Sequence, residues 1–184
     1  MPNLNTIERI TDIPHGCREI FLAGGCFWGA EEYLSRIRGV AGTDVGYANG
    51  TTENPTYEQV CTGKTGYAET VRVIYDPGVL PLMRLLEIYF DSIDPCAVNR
   101  QGHDTGEQYR TGIYYPDEAD GLTARAALDT LALTAPGPIA VQLLPLENYW
   151  AAEAYHQKYL KKNPGGYCHI PPRMFAFAEE ANEK

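Results

Sequence analysis

"YAETVRVIYD", residues 67–76, decides the fold. Val71, Val73 and Tyr75 share one face of an extended chain and Thr70, Arg72 and Ile74 the other, which predicts a strand rich in β-branched residues. Such a two-sided strand belongs to a sheet covered chiefly on one face. Upstream, "REIFLAGG" (18–25) reads as a buried strand closed by glycines, and "CFWGAEEYLSRIRG" (26–39) as a helix with Glu31 and Glu32 early and Gly39 as its stop. Downstream, apolar residues at 82, 85, 86, 89, 90 and 93 predict an amphipathic helix. "YRTGIYY" (109–115) is a strand, "PDEADGLTARAALDTLAL" (116–133) a helix, and "IAVQLLPL" (139–146) a short or edge strand because of its proline. "NYWAAEAYHQKYLKKN" (148–163) reads as the last helix, with Lys161 and Lys162 complementing its dipole. These interspersed elements predict an α+β protein, a two-layer α/β sandwich with a mixed or antiparallel sheet. Residues 94–108 and the segment from 163 onward carry no pattern, and long structureless stretches in a compact domain are often functional.

The 184 residues suit a single domain, 1–184, with residues 1–18 as an N-terminal arm. No apolar run approaches the roughly 18 to 20 residues of a membrane span, so no membrane role is expected. The N-terminal stretch is broken by proline and charge and lacks the apolar core of a secretory signal, which makes the cytoplasm the expected compartment. A net charge of −9 disfavours nucleic acid and anionic membranes as partners. Five cysteines, Cys17, Cys26, Cys61, Cys96 and Cys168, fall at irregular spacing without a Cys-x-x-Cys pair. That argues against a zinc site and a secreted disulfide framework, and neither metal nor cofactor is expected.

Cys26 stands where the first helix-forming stretch begins. Unpaired N–H groups and the positive end of the helix dipole favour thiolate there, and the preceding glycines permit a sharp turn and close approach. The glycines do not form a phosphate loop, since Ala30 and Glu31 stand where Lys and Ser/Thr are needed, nor a dinucleotide fingerprint, since Cys26 occupies a glycine position. Phe27 and Trp28 read as core aromatics or as an apolar cage beside the thiol.

"GCFWG", "NPTYEQVCTGKTGYAETVRVIYDP", "NRQGHDTGEQYR" and "HQKYLKKNPGGYC", in this order, resemble the successive motifs of the type A peptide methionine sulfoxide reductases from about Ile20 to Cys168. The resemblance implies a ferredoxin-like core and reduction of the S epimer of methionine sulfoxide, free or in proteins, with thioredoxin as reductant. It implies Cys26 as nucleophile and Phe27 and Trp28 as walls of the methyl pocket. Glu69 matches the acid that protonates the departing oxygen, with burial raising its pKa, although the strand pattern alone reads it as an outward position. Tyr57 and Tyr109 match hydrogen-bond donors to the sulfoxide oxygen, and Asp104 a substrate-binding aspartate. Cys168 matches the resolving cysteine, carried on a mobile tail over 163–184, which would close a Cys26–Cys168 disulfide once Cys26 is a sulfenic acid. No cysteine follows Cys168, so thioredoxin is expected to act on that pair directly. Cys61 and Cys96 are expected to pack, Cys17 has no assigned role, and a monomer is expected. Two rivals stand beside this reading. A cysteine-dependent hydrolase or acyltransferase would need a histidine base from His15, His103, His156 or His169. A binding module would use the Phe27–Trp28 pocket without turnover.

Overall fold

The computed structural model describes residues 12–183, so most of the expected arm over 1–18 lies outside the described residues. The chain runs β1 (Arg18–Gly24), α1 (Phe27–Ser35), β2 (Val40–Ala48), α2 (Tyr57–Cys61), β3 (Ala68–Tyr75) and α3 (Leu82–Asp91). A small hairpin follows, β4 (Arg100–Gln101) with β5 (Asp104–Thr105), then a 3-10 turn over Glu107–Tyr109 and β6 (Thr111–Tyr115). The rest comprises α4 (Glu118–Ala132), β7 (Gln142–Pro145), β8 (Tyr149–Ala151), a 3-10 turn over Ala154–His156, α5 (Tyr159–Lys162) and α6 (Pro172–Glu180).

The main sheet has the order β7-β6-β1-β3-β2-β8, and every neighbouring pair is antiparallel except β6 with β7. It is therefore mixed. Helix α1 links β1 to β2 and α3 links β3 to β6, so four central strands and two helices form one unit. Ile20, Leu22, Val45, Val71, Val73 and Ile113 from the strands pack with Leu34, Leu85, Leu86, Tyr89 and Leu128 from α1, α3 and α4 in one core. The opposite face holds a smaller cluster of Phe21, Ala23, Ala48, Ala68 and Tyr114, capped by Leu146 and Tyr149. Beside it, Arg72 bridges Glu19 at 2.6 Å and Asp44 at 3.2 Å, and Asp44 accepts from the Tyr149 hydroxyl at 2.6 Å.

The sequence reading fails in three places. Strand β2, with Gly42, Asp44 and Gly46, carries no alternation that would predict it, yet it pairs along its length with β3. The helix expected over 148–163 is instead β8, a 3-10 turn and the short α5, because its side chains serve distant backbone. Gln157 donates to Val45 O at 2.8 Å and accepts from Val45 N at 2.9 Å, and Lys158 adopts φ +53 while its N–H reaches Glu31 at 2.9 Å. The segment past 163, expected as coil, contains α6, started by Pro172 in its first turn and packed through Met174, Phe175 and Ala178.

Candidate active site

The site is built where β1 ends and α1 begins. Gly25 turns the chain at φ +80, a conformation that L side chains rarely adopt, and a Cβ there would stand 2.7 Å from Gln101 Cβ. The turn delivers Cys26 to the N-cap of α1, 7% exposed. Its sulfur accepts from the Trp28 backbone N–H, which lowers its pKa. Burial, and next to it the Glu69 carboxyl, push the thiol well up and outweigh that bond. The thiolate expected from the helix-start position is therefore not the resting form: desolvation exceeds what one helix N-terminus supplies.

Glu69, expected to point outward, is 1% exposed and faces inward. Strand parity explains this, because 69 shares its face with Val71, Val73 and Tyr75. Its Oε2 accepts from Phe27 N–H at 3.1 Å, tying the carboxyl to the first turn of α1 beside Cys26. Burial raises it to about 8 against the pull of that N–H, so Glu69 holds a proton at neutral pH. The structure thus seats a protonated carboxyl next to a protonated thiol.

Around this pair lie the other expected residues. Tyr57 opens α2 and Tyr109 closes the 3-10 turn before β6; both are half-buried. Burial pushes both phenols up, and Glu69 adds to the shift of each, which places the two hydroxyls in its field. Arg110, bonded to Gly66 O at 2.9 Å and Glu107 O at 3.1 Å, holds the turn that presents Tyr109. Asp104 in β5 accepts from the Tyr167 hydroxyl at 3.0 Å through Oδ1, while its buried Oδ2 has no partner among the described residues. The same carboxylate bears on Cys26, Glu69 and Tyr109.

The two aromatics divide their work. Phe27 is 1% exposed and belongs to the core, its ring 5.8 Å from Tyr47 and 5.1 Å from His156. Trp28 is half-buried, stacks on Tyr159 at 3.7 Å between centroids, and donates through Nε1 to His156 Nδ1 at 2.9 Å. His156 is fully buried, and desolvation lowers it to about 4, so it is neutral and its Nδ1 is free to accept. Glu153 accepts from the Tyr47 hydroxyl at 3.0 Å and from Tyr57 N–H at 3.2 Å, and lies 4.0 Å from His156 Nε2. Sequence reading assigned no pocket role to Glu153, His156 or Tyr159, although His156 and Tyr159 lie in the quoted motif "HQKYLKKNPGGYC".

Cys168 lies over α1: a Cβ on Gly29 would be 2.8 Å from its Sγ. It is half-buried and unbridged, donating to Ile170 O at 3.3 Å. Cys61, expected to pack, is exposed at the end of α2, where its thiol shares a hydrogen bond with Tyr57. Cys96 is half-buried and bonds Gly137 O at 3.4 Å. Of the histidines offered as a hydrolase base, His15 and His103 are exposed, His156 is held by Trp28 and His169 turns its Nε2 to Gly24 O at 3.1 Å, while the group that bears most on the thiol is a carboxyl. Among the described residues there is no cluster of three metal-ligating side chains, and no helix is long and apolar enough to cross a membrane.

The family model for peptide methionine sulfoxide reductase matches residues 18–183. The chain belongs to this family. The peptide methionine sulfoxide reductase MsrA of Lachnoclostridium phytofermentans is 55% identical over 164 residues, 89% of this chain and 99% of that protein. Among solved structures, reduced Mxr1 from Saccharomyces cerevisiae superposes with a TM-score of 0.82 at 35% identity, over 86% of this chain and 93% of the other. Methionine sulfoxide reductase A of Corynebacterium diphtheriae gives 0.79 at 38%, over 85% and 84%. Mxr1 in complex with Trx2 matches in fold, with a TM-score of 0.60 at 24% identity over 83% and 91%. The arrangement of thiol, protonated carboxyl, two phenols and second thiol in this peptide methionine sulfoxide reductase family member is thus seen on a fold shared across most of its length.

Proposed function

We propose that this chain reduces the S epimer of methionine sulfoxide, free or in proteins, to methionine. The protonated Glu69 beside Cys26 carries the reading, since a sulfoxide oxygen leaves only when it takes a proton. Trp28, held by His156 and Tyr159, receives the substrate methyl, and the unpartnered Asp104 Oδ2 accepts a substrate N–H. Tyr57 and Tyr109 donate to the sulfoxide oxygen. As Cys26 Sγ attacks the sulfoxide sulfur, the oxygen takes the protons of Cys26 and Glu69 and leaves as water, giving a Cys26–substrate sulfonium. Water then attacks the Cys26 sulfur, the S–S bond breaks to release methionine, and the proton lost by that water returns to Glu69, leaving a Cys26 sulfenic acid.

Cys168 then attacks the sulfenic sulfur, releases water and closes a Cys26–Cys168 disulfide, which thioredoxin reduces. The position of Cys168 Sγ above Gly29 of α1 supports this pairing. The segment over 163–183 moves to bring the two sulfurs to bonding distance. The order β6-β1-β3-β2 with its two crossing helices supports a ferredoxin-like core, and the chain acts as a monomer in the cytoplasm. The deciding experiment incubates reduced protein with resolved S and R sulfoxides without reductant. The S epimer yields one equivalent of methionine with loss of two thiols, and the R epimer yields none; equal turnover of both, or no methionine, overturns the proposal.

A further inference from the structure

The proposed reaction leaves the His169 ring unused. Its Nε2 lies 3.1 Å from Gly24 O. A carbonyl only accepts, so Nε2 carries the hydrogen, and in a neutral ring Nδ1 then keeps its lone pair. That Nδ1 is buried and has no partner among the described residues. Desolvation lowers the ring below the ordinary histidine range, which keeps it neutral and the lone pair available.

Nδ1 shares a small space with the second thiol. The point a Cβ would take on Gly29 is 3.2 Å from His169 Nδ1 and 2.8 Å from Cys168 Sγ. Gly29 follows Cys26 by one turn of α1, and the ring's other edge stands 2.9 Å from the Cβ position of Gly25, immediately before Cys26. The imidazole therefore lies against backbone on both sides of Cys26 while its free nitrogen faces the space that holds Cys168 Sγ. Burial pushes the Cys168 thiol up, so it meets its target protonated. Its hydrogen bond to Ile170 O must be given up before the sulfur can attack, and a carbonyl cannot take the proton away.

Resting on the reading that Cys168 resolves a Cys26 sulfenic acid, we propose that His169 Nδ1 accepts the Cys168 thiol proton as the disulfide closes. The Cys168 S–H bond and the Cys26 S–O bond break, and one S–S bond forms. The proton held by Nδ1 passes to the departing hydroxyl, which leaves as water, and the ring ends neutral as it began. The Cys168 sulfur is oxidised and the sulfenic sulfur reduced, so no other oxidant enters.

The test is a single turnover of the reduced full chain with S-methionine sulfoxide, quenched at intervals, with methionine measured by chromatography and free thiols by alkylation and mass spectrometry. In His169→Gln the side-chain amide still reaches Gly24 O but offers no basic nitrogen. Methionine release keeps its wild-type rate while loss of the second thiol slows on the order of 10²-fold, the range of general-base assistance. In His169→Ala the same step is slow and is restored in part by added imidazole, a rescue that a purely structural ring would not permit. Disulfide closure at the wild-type rate in His169→Gln, or a slow His169→Ala that imidazole leaves unchanged, overturns the proposal. Failure of the underlying reading has a different signature: the wild-type chain itself then releases no methionine or closes no Cys26–Cys168 bond.

Discussion

The two thiols sit in opposite kinds of structure. Cys26 stands at the junction of a central strand and a packed helix, with its neighbour Phe27 bonded to Glu69 of β3 and buried in the core. Cys168 stands on an irregular segment between α5 and α6, held by a contact to a residue two places on and by the packing of α6. The first step of the proposed chemistry needs a dry, fixed seat, because a carboxyl keeps its proton at neutral pH only where water is excluded. The second needs a sulfur that can travel. One sulfur stands between two packed elements and the other on an irregular segment of the same chain.

Substitutions break this contrast in graded ways. Cys26→Ser removes the attacking sulfur and abolishes methionine formation, read by chromatography of a single turnover. Cys168→Ser leaves that first equivalent intact and abolishes steady-state turnover with thioredoxin; loss of the first equivalent as well would place Cys168 inside the fixed seat. Glu69→Gln lowers the rate of methionine release about 10²- to 10⁴-fold, the usual contribution of a positioned acid. The wild-type rate itself falls as pH rises through about 8, where Glu69 gives up its proton. Stability follows the same group. Its folded pKa lies above the carboxylate range, so the folded state binds the extra proton and wild-type stability declines as pH rises between about 4.5 and 8. Denaturation across that window finds Glu69→Gln gaining on wild type by up to about 1.4 kcal/mol per pH unit.

His156→Phe strips the Trp28 indole of its acceptor, costs about 1 to 3 kcal/mol in urea unfolding, and raises KM more than it lowers kcat. Gly29→Ala is the mildest and the most selective. Its Cβ would press on Cys168 Sγ, so disulfide closure slows several-fold while methionine release is unchanged.

The same contrast governs what the sequence reveals. Helices α1, α3 and α4 and strand β3 are legible because a local period and one packed face coincide in them. Glu69 is the exception within β3: its charge leads to an outward reading, whereas the parity it shares with Val71 turns it inward. Strand β2 is hidden because it lies between β3 and β8, where pairing with both neighbours fixes it and periodicity does not. Residues 148–163 mislead, since their helical spacing is overruled by bonds from Gln157 and Lys158 to backbone and carboxylate more than a hundred positions away. Glu69 lies beside Cys26 with Tyr57, Tyr109 and Asp104 bearing on the same ground, Phe27 goes into the core, and the parts played by the pocket's props, Glu153, His156 and Tyr159, are visible only once the chain has folded.

The tie between Trp28 and His156 joins residues 128 positions apart, and Tyr159 stacks on the same indole from further still. During synthesis the nucleophile and its indole wall therefore emerge long before the two groups that hold that wall in place. A chain halted near residue 150 would lack both groups that hold the indole, so the pocket is completed only by the residues that follow.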